Sequence, residues 1–219
     1  MAEAEGFKCK LVTYDEINKW TTDVAEKVEG SGCRPTVIVG LTRGGWVPAR
    51  LLCDYLGVKK LYAIKTEHWG VTANPDGKAL LTQELNVSIE GEDVLLVDDI
   101  TDTGESLTLA RAHLLRMQPK SLRSATLLHI THSRAVPDYY SVRVPKENWT
   151  WFIFPWNVNE DLRTLLPKTL CQPKGVDEIR SSFLSQFQID VSEAKVRQTL
   201  KDLVDKDKVI QEGSKWTVA

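Results

Sequence analysis

Residues 94–107 read VLLVDDITDTGESL. Val94 to Val97 form an unbroken apolar run, not an alternating one, which is how a strand buried on both faces of a parallel sheet looks. The run ends in two adjacent carboxylates, Asp98 and Asp99. A polar turn follows (Thr101, Asp102, Thr103, Gly104, Glu105, Ser106), and then a helical pattern, ESLTLARAHLLRM (105–117). Strand, turn, helix is the repeating unit of an α/β fold, and such sheets bind ligands at the carboxyl ends of their strands. Neighbouring carboxylates repel, so something must relieve Asp98 and Asp99: hydroxyl donors or a hard cation such as Mg²⁺, which takes oxygen ligands. Gly104 removes a side chain where backbone approaches a ligand. The helix start adds N–H groups and a positive dipole end, which completes a candidate anion cradle.

The same alternation extends along the chain. Thr13 and Glu16 have capping-box spacing, and Ile17, Trp20, Val24 and Val28 follow at helical intervals, predicting a helix that ends near Gly30. TVIVGL (36–41) predicts a strand. VPARLLCDYLG (47–57) predicts a helix with Pro48 in its first turn and Gly57 as its stop. LYAIK (61–65), VLLVD (94–98) and SATLLHI (124–130) are further expected strands. Residues 67–90 carry glycine, asparagine and proline with weak periodicity and predict a long loop, with room for a hairpin. After Cys171 the composition shifts. VDEIRSSFLSQF (176–187) and VSEAKVRQTLKDLVDKDKV (191–209) are helical in pattern, and IQEGSKWTV (210–218) predicts a hairpin turning at Gly213–Ser214. That order outlines a small winged-helix-like module.

Composition bounds the function class. The chain has 219 residues, 42% hydrophobic and 26% charged, with a formal net charge of −2. This is ordinary for a globular protein and gives no electrostatic reason to expect nucleic acid as the main partner. No signal-peptide pattern opens the sequence and no apolar run is long enough to span a bilayer, so a cytoplasmic protein without membrane partners is expected. Cys9, Cys33, Cys53 and Cys171 lie far apart and form no C-x-x-C pair, which predicts reduced thiols and no structural zinc. There is no P-loop pattern, and GSGCR (30–34) lacks the later glycine of a dinucleotide fingerprint.

VLLVDDITDTGESL resembles the phosphoribosyl-pyrophosphate (PRPP) motif of type I phosphoribosyltransferases, in its apolar run, acidic pair, third acid and Thr-Gly-x-Ser loop. GLTRGGWVPARLL (40–52) resembles the pyrophosphate loop of the bacterial xanthine-guanine members, with Thr42, Arg43 and Gly44 in the loop; Arg43 is a permanent bidentate donor to phosphate oxygens. In that family the peptide before the arginine-like residue is often cis, so a strained peptide is expected at Thr42–Arg43. NWTWFIFPWN (148–157) resembles the hood of the 6-oxopurine enzymes, which implies that Trp151 stacks on the base and that backbone groups of Phe152 and Ile153 read its edge. HITHSR (129–134) places His132 where those enzymes carry a lysine that donates to the exocyclic oxygen. Imidazole can donate or accept, so adenine stays open as the base. Lys65 begins KTEHW, where the family has a Ser-Tyr pair; it is either a phosphate contact or a solvated strand end.

The resemblance implies an α/β phosphoribosyltransferase fold over residues 1–170, with a hood from about 136–165, followed by the module at 171–219. It implies transfer of 5-phosphoribosyl from PRPP to a 6-oxopurine, releasing pyrophosphate and a nucleoside monophosphate, with Mg²⁺ as cofactor, by a homo-oligomer serving purine salvage. Thr101 to Ser106 would bind the 5′-phosphate, Thr42, Arg43, Gly44 and Lys65 the pyrophosphate, and Asp98 and Asp99 the ribose hydroxyls and metal. Asp102 would carry a proton to and from the purine. Adenine phosphoribosyl transfer is the alternative on the same scaffold. A PRPP- or nucleotide-sensing DNA-binding regulator is the alternative of another class. Against the latter, residues 171–219 hold eight Lys+Arg and eight Asp+Glu, whereas a DNA reader presents a basic face.

Overall fold

The computed structural model describes residues 6–68 and 79–219. Packing divides the chain into two compact units, Tyr14–Trp149 and a second made of Met1–Thr13 with Thr150–Ala219. Strand β1 (Cys9–Leu11) belongs to the second unit.

The first unit starts with helix α1 (Tyr14–Gly30), followed by strand β2 (Val37–Thr42), helix α2 (Trp46–Tyr55), strands β3 (Lys60–His68), β4 (Ala79–Gln83) and β5 (Asp93–Thr101), helix α3 (Glu105–Leu115), and strands β6 (Ser121–Ile130) and β7 (Tyr139–Val144). The six strands form one sheet in the order β4-β3-β2-β5-β6-β7. Every pairing is parallel except β3 with β4. The apolar runs are continuous because successive residues serve opposite faces. Leu95 and Val97 pack with Ile38, with Val24 and Val28 of α1, and with Leu52 of α2. Val94 and Leu96 pack on the other face with Val39, Ile64, and Leu107 and Leu114 of α3.

Three sequence expectations change here. The long loop expected at 67–90 is interrupted by the hairpin it left room for: β3 runs on to His68, and Ala79–Gln83 pairs back against it as β4, with a register shift at Lys65/Thr66. Residues 69–78 lie outside the described residues. β4 alternates half-buried with exposed side chains, so it carries little apolar signal. Second, β5 does not stop at Asp98; it continues to Thr101, held by pairing of Asp98, Ile100 and Thr101 with Thr126, Leu128 and His129. Third, residues 139–144, assigned from sequence to the hood, are the edge strand β7 on β6. An edge strand has one partner and no clean alternation to reveal it.

In the second unit β1 pairs in parallel with β8 (Trp151–Ile153). Helices α4 (Val158–Leu165), α5 (Val176–Phe187) and α6 (Glu193–Val204) follow, then the hairpin β9 (Val209–Glu212) and β10 (Lys215–Val218). Glu212 pairs with Lys215, so Gly213 and Ser214 form the two-residue turn expected from sequence, with Gly213 at φ 60°. Ser192 caps α6 by accepting the Lys195 N–H. The compositional shift at 171 is not a packing boundary: Cys9, Ile153, Leu162, Leu166 and Leu170 share one core with Ile179, Phe183, Leu200 and Trp216. All four cysteines are free. No helix of the described residues is long and apolar enough to cross a membrane.

Asp161 of α4 is 5% exposed in this unit and accepts the Trp151 Nε1–H at 3.1 Å. Burial drives its carboxyl up to about 6, the Trp151 bond pulls the other way, and Glu160 adds to the rise. A raised carboxyl keeps its proton in the folded chain where the unfolded chain has lost it. Stability therefore falls as pH rises from about 4 to about 6 and is flat above, by roughly 3 kcal/mol at 1.36 kcal/mol per unit. Asp161→Asn keeps an acceptor for Trp151 and removes the charge. We expect it to be more stable than wild type by up to about 3 kcal/mol at pH 7 and equal to it at pH 4, read by urea denaturation at both pH values. Parallel pH slopes for the two proteins would exclude this assignment.

Candidate active site

β2 and β5 are adjacent parallel strands, so the turns that follow them emerge side by side. The turn after β2 is Thr42-Arg43-Gly44-Gly45, and its Thr42–Arg43 peptide is cis, as the resemblance led us to expect. The turn closes by the Gly45 N–H donating to the Leu41 carbonyl at 2.9 Å, and Gly45 then caps α2. Thr42 Oγ1 donates to the Ile64 carbonyl at 3.0 Å. Arg43 is exposed. Lys65 sits opposite Thr42 in the β2–β3 register, at the same end of the sheet, and pairs with Glu67 at 2.5 Å.

Both glycines are required by what lies against them. A Cβ on Gly44 would fall 2.1 Å from Asp99 Oδ2 and 2.7 Å from Oδ1. A Cβ on Gly45 would fall 2.4 Å from the Val97 carbonyl oxygen and 2.7 Å from the Asp98 Cα. The two motifs quoted from sequence are thus in direct contact, the glycine pair lying on the acidic pair. Asp99 is 8% exposed and Asp98 partly buried. Asp98 Oδ1 accepts the Asp99 N–H at 3.0 Å. Desolvation, and then the charge of Asp99, push the Asp98 carboxyl well above the ordinary carboxylate range, although the Asp99 and Gly45 N–H groups pull it down. The pair stores unfavourable charge that a cation or hydroxyl donors would relieve.

The turn after β5 surrounds a cavity of about 200 Å³ lined by Asp98 to Gly104, Ser106 and Leu107. Gly104 has φ 83°, a left-handed conformation, and caps α3. A Cβ there would meet Ser133 Oγ and the Ala135 N at 2.6 Å, so the 133–135 turn is packed onto it. The Arg134 N–H donates to the Thr103 carbonyl at 3.0 Å, which closes the same contact. Thr103 Oγ1 accepts the Glu105 N–H at 3.4 Å. Two candidates play a different part from the one their side chains suggested. Thr101 is buried and its hydroxyl donates to Thr126 Oγ1 at 3.2 Å, so the side chain is engaged within the fold. Glu105 begins α3 but does not line the cavity.

Asp102 lies in this turn. His132 Nε2 is 2.9 Å from its Oδ1, and Trp149 Nε1 donates to the same oxygen at 3.3 Å. Trp149 escaped the reading of the sequence. It is one of three tryptophans within residues 149–156, beside Phe152 and Phe154, and only the fold singles it out. In the other unit, Trp151 packs edge-on against Phe7 at 6.5 Å. The expectation for Ile153 is corrected: its side chain is fully buried in the core and its carbonyl accepts the Val12 N–H at 2.9 Å. Trp151 likewise donates its N–H to Lys8, so strand alternation turns the backbone of Phe152 toward the edge away from β1.

Among the described residues no group of three or more His, Cys, Asp or Glu could hold a metal. Mg²⁺ is commonly held by one or two carboxylates with substrate phosphates completing its shell, so it needs no such group. Asp98 and Asp99 are the pair that fits.

Gly45→Ala forces a Cβ into fixed backbone. We expect a loss of about 1–3 kcal/mol, the scale of overpacking, measured by urea denaturation. A variant as stable as wild type would show that the turn can withdraw from β5.

Comparison with known proteins agrees with this geometry. The phosphoribosyl transferase domain family matches residues 13–162. The chain is 28% identical over 166 residues to the hypoxanthine-guanine phosphoribosyltransferase of Aquifex aeolicus, covering 71% of this chain and 92% of that one. It is 26% identical over 150 residues to the xanthine-guanine phosphoribosyltransferase of Cereibacter sphaeroides, covering 67% and 86%. Among solved structures, the purine phosphoribosyltransferase of Pyrococcus horikoshii superposes with a TM-score of 0.58 at 28% identity, over 67% of this chain and 93% of that one. With the glycine turn, the acidic pair and the 101–106 cradle assembled at one end of the sheet, the chain belongs to the phosphoribosyl transferase domain family.

Proposed function

We propose that the protein transfers 5-phosphoribosyl from PRPP to a ring nitrogen of a 6-oxopurine (hypoxanthine, guanine or xanthine), releasing pyrophosphate and the nucleoside monophosphate. The observation that carries this is the contact of Gly44 and Gly45 with Asp99, Asp98 and Val97, which brings the turn after β2 against the acidic end of β5; we read the first as the pyrophosphate turn and the second as the start of the ribose-phosphate cradle. The names of the relatives support a purine as acceptor.

Charge develops in two places during such a transfer: the sugar becomes oxocarbenium-like and the departing pyrophosphate gains negative charge. Groups already aimed at those charges supply most of the catalysis. Arg43 and the Gly44 backbone face the leaving pyrophosphate, with Lys65 at the same strand end. The turn from Thr101 to Ser106 holds the 5′-phosphate through backbone N–H groups, the α3 N-terminus and the Thr103 and Ser106 hydroxyls, which turns remote binding into orientation. Asp98 and Asp99 hold the ribose hydroxyls and Mg²⁺; when bound, the metal neutralises charge on the pyrophosphate. Asp102 exchanges a proton with the purine. Trp151 and the Phe152 backbone are the base-reading candidates of the second unit. A cytoplasmic, homo-oligomeric salvage enzyme is part of the same reading. The even charge balance of residues 171–219 favours packing over DNA binding.

His132 keeps adenine in play, since neutral imidazole can accept from an exocyclic amine. Incubation with PRPP, Mg²⁺ and each of adenine, hypoxanthine, guanine and xanthine decides the matter: we expect nucleotide and pyrophosphate with at least one oxopurine. Product from adenine alone would reassign the base, and no product with any of the four would end the proposal. Asp102→Asn should lower kcat by about 10²-fold or more, the usual scale for a positioned acid–base group. Turnover near that of wild type would remove the proton-carrying role.

A further inference from the structure

Two ring nitrogens converge on one oxygen of Asp102. Trp149 Nε1–H donates to Oδ1 at 3.3 Å, and His132 Nε2 stands 2.9 Å from the same atom. A lone-pair nitrogen would be repelled by an ionised carboxylate at that distance, so the contact calls for an N–H at Nε2 whenever Asp102 is ionised, and leaves Nδ1 for the base.

Both neighbours are braced. His132 follows Thr131, whose N–H donates to the Val144 carbonyl at 2.9 Å and whose Oγ1 accepts the Lys146 N–H at 2.9 Å. Lys146 opens the short 3-10 turn Lys146–Asn148, and the Trp149 N–H donates to the Lys146 carbonyl at 3.1 Å. Thr131 therefore ties the segment carrying His132 to the one carrying Trp149. The Asp102 turn itself is clamped by the Arg134–Thr103 bond and by the packing of Ser133 and Ala135 on Gly104. The carboxylate is thus approached by two ring nitrogens at Oδ1 while the backbone that follows it is held at Thr103 and Gly104.

We propose that His132 and Trp149 are positioning residues for Asp102: together they fix Oδ1, so that Oδ2 is the oxygen that exchanges a proton with the bound purine. This rests on the reading of Asp102 as the proton carrier. The transfer moves one proton between Oδ2 and a purine ring nitrogen, with no other reactant. It also gives His132 a task different from that of a lysine that only donates to the base, and gives Trp149 a task through its N–H and not through stacking.

The test is a double-mutant cycle. Trp149→Phe keeps an aromatic ring and removes the N–H; His132→Gln keeps a polar side chain and removes the ring. Each is made alone and in the Asp102→Asn background, with thermal melting to establish folding and steady-state kinetics with PRPP and the accepted purine. In the wild-type background we expect each to lower kcat about 10-fold, the scale on which misplacing a reacting group acts, with the KM for PRPP changed less than about twofold. In the Asp102→Asn background neither should lower kcat further, because residues acting through one group are not additive. Equal losses in both backgrounds, or a raised KM for PRPP with unchanged kcat, would overturn the proposal and leave Asp102 its role. Wild-type turnover by Asp102→Asn alone would instead bring down the reading of Asp102, and positioning with it. Should Trp149→Phe not fold, the same cycle with His132→Gln carries the decision.

Discussion

The structure turns on a backbone laid against a carboxylate. Gly44 and Gly45 lie so close to Val97, Asp98 and Asp99 that no side chain fits between them. Two parallel strands can bring their following turns this near only if neither turn carries bulk at the contact. Close approach seats the Arg43 turn beside the acids, gives Asp98 a Gly45 N–H, and strips part of the hydration from the pair. That partial desolvation raises the energy of the two charges, because a poorly hydrated carboxylate beside another is disfavoured. A site built in this way favours a cation and hydroxyl-bearing ligands before any of them arrives.

The Asp102 turn uses a different device. Gly104, in its left-handed conformation, lets the 133–135 turn close over it, and the Arg134–Thr103 bond secures that closure. The acidic turn, the start of α3 and the turn after β6 become one packed corner. The positions of His132 and Trp149 follow from this packing. The route runs from β6 through Thr131 to Lys146 and Trp149, which is why residues separated by 47 positions meet at Asp102 Oδ1.

The second unit shows how a compositional boundary and a packing boundary can differ. Residues 171–219 change in character because their helices are short and charged on the outside. Their apolar faces nonetheless need the side chains of Cys9, Ile153, Leu162 and Leu170 to complete a core. A module of two helices and a hairpin has little interior of its own, and burial recruits whatever apolar surface is adjacent. The aromatic strand β8 is drawn into the same unit by its pairing with β1, a three-residue strand too short to signal itself in sequence.

Local pattern was enough for the parallel sheet, because strands covered on both faces must be apolar at every position, and enough for the turn that opens α3, because a glycine among hydroxyls marks a helix start. It also marked Arg43, Asp98, Asp99 and Asp102, whose spacing lies within two short stretches. Strands β1, β4 and β7 were hidden, since edge and two-stranded elements need no alternation. The continuation of β5 to Thr101 was hidden too, since charges at a strand end look like its end. Only the tertiary structure could choose Trp149 from its aromatic neighbours, turn the Thr101 hydroxyl inward, occupy the Ile153 carbonyl, and bring His132 to Asp102. Each of these depends on contacts between residues far apart in the chain, and a linear sequence carries no record of distance through space.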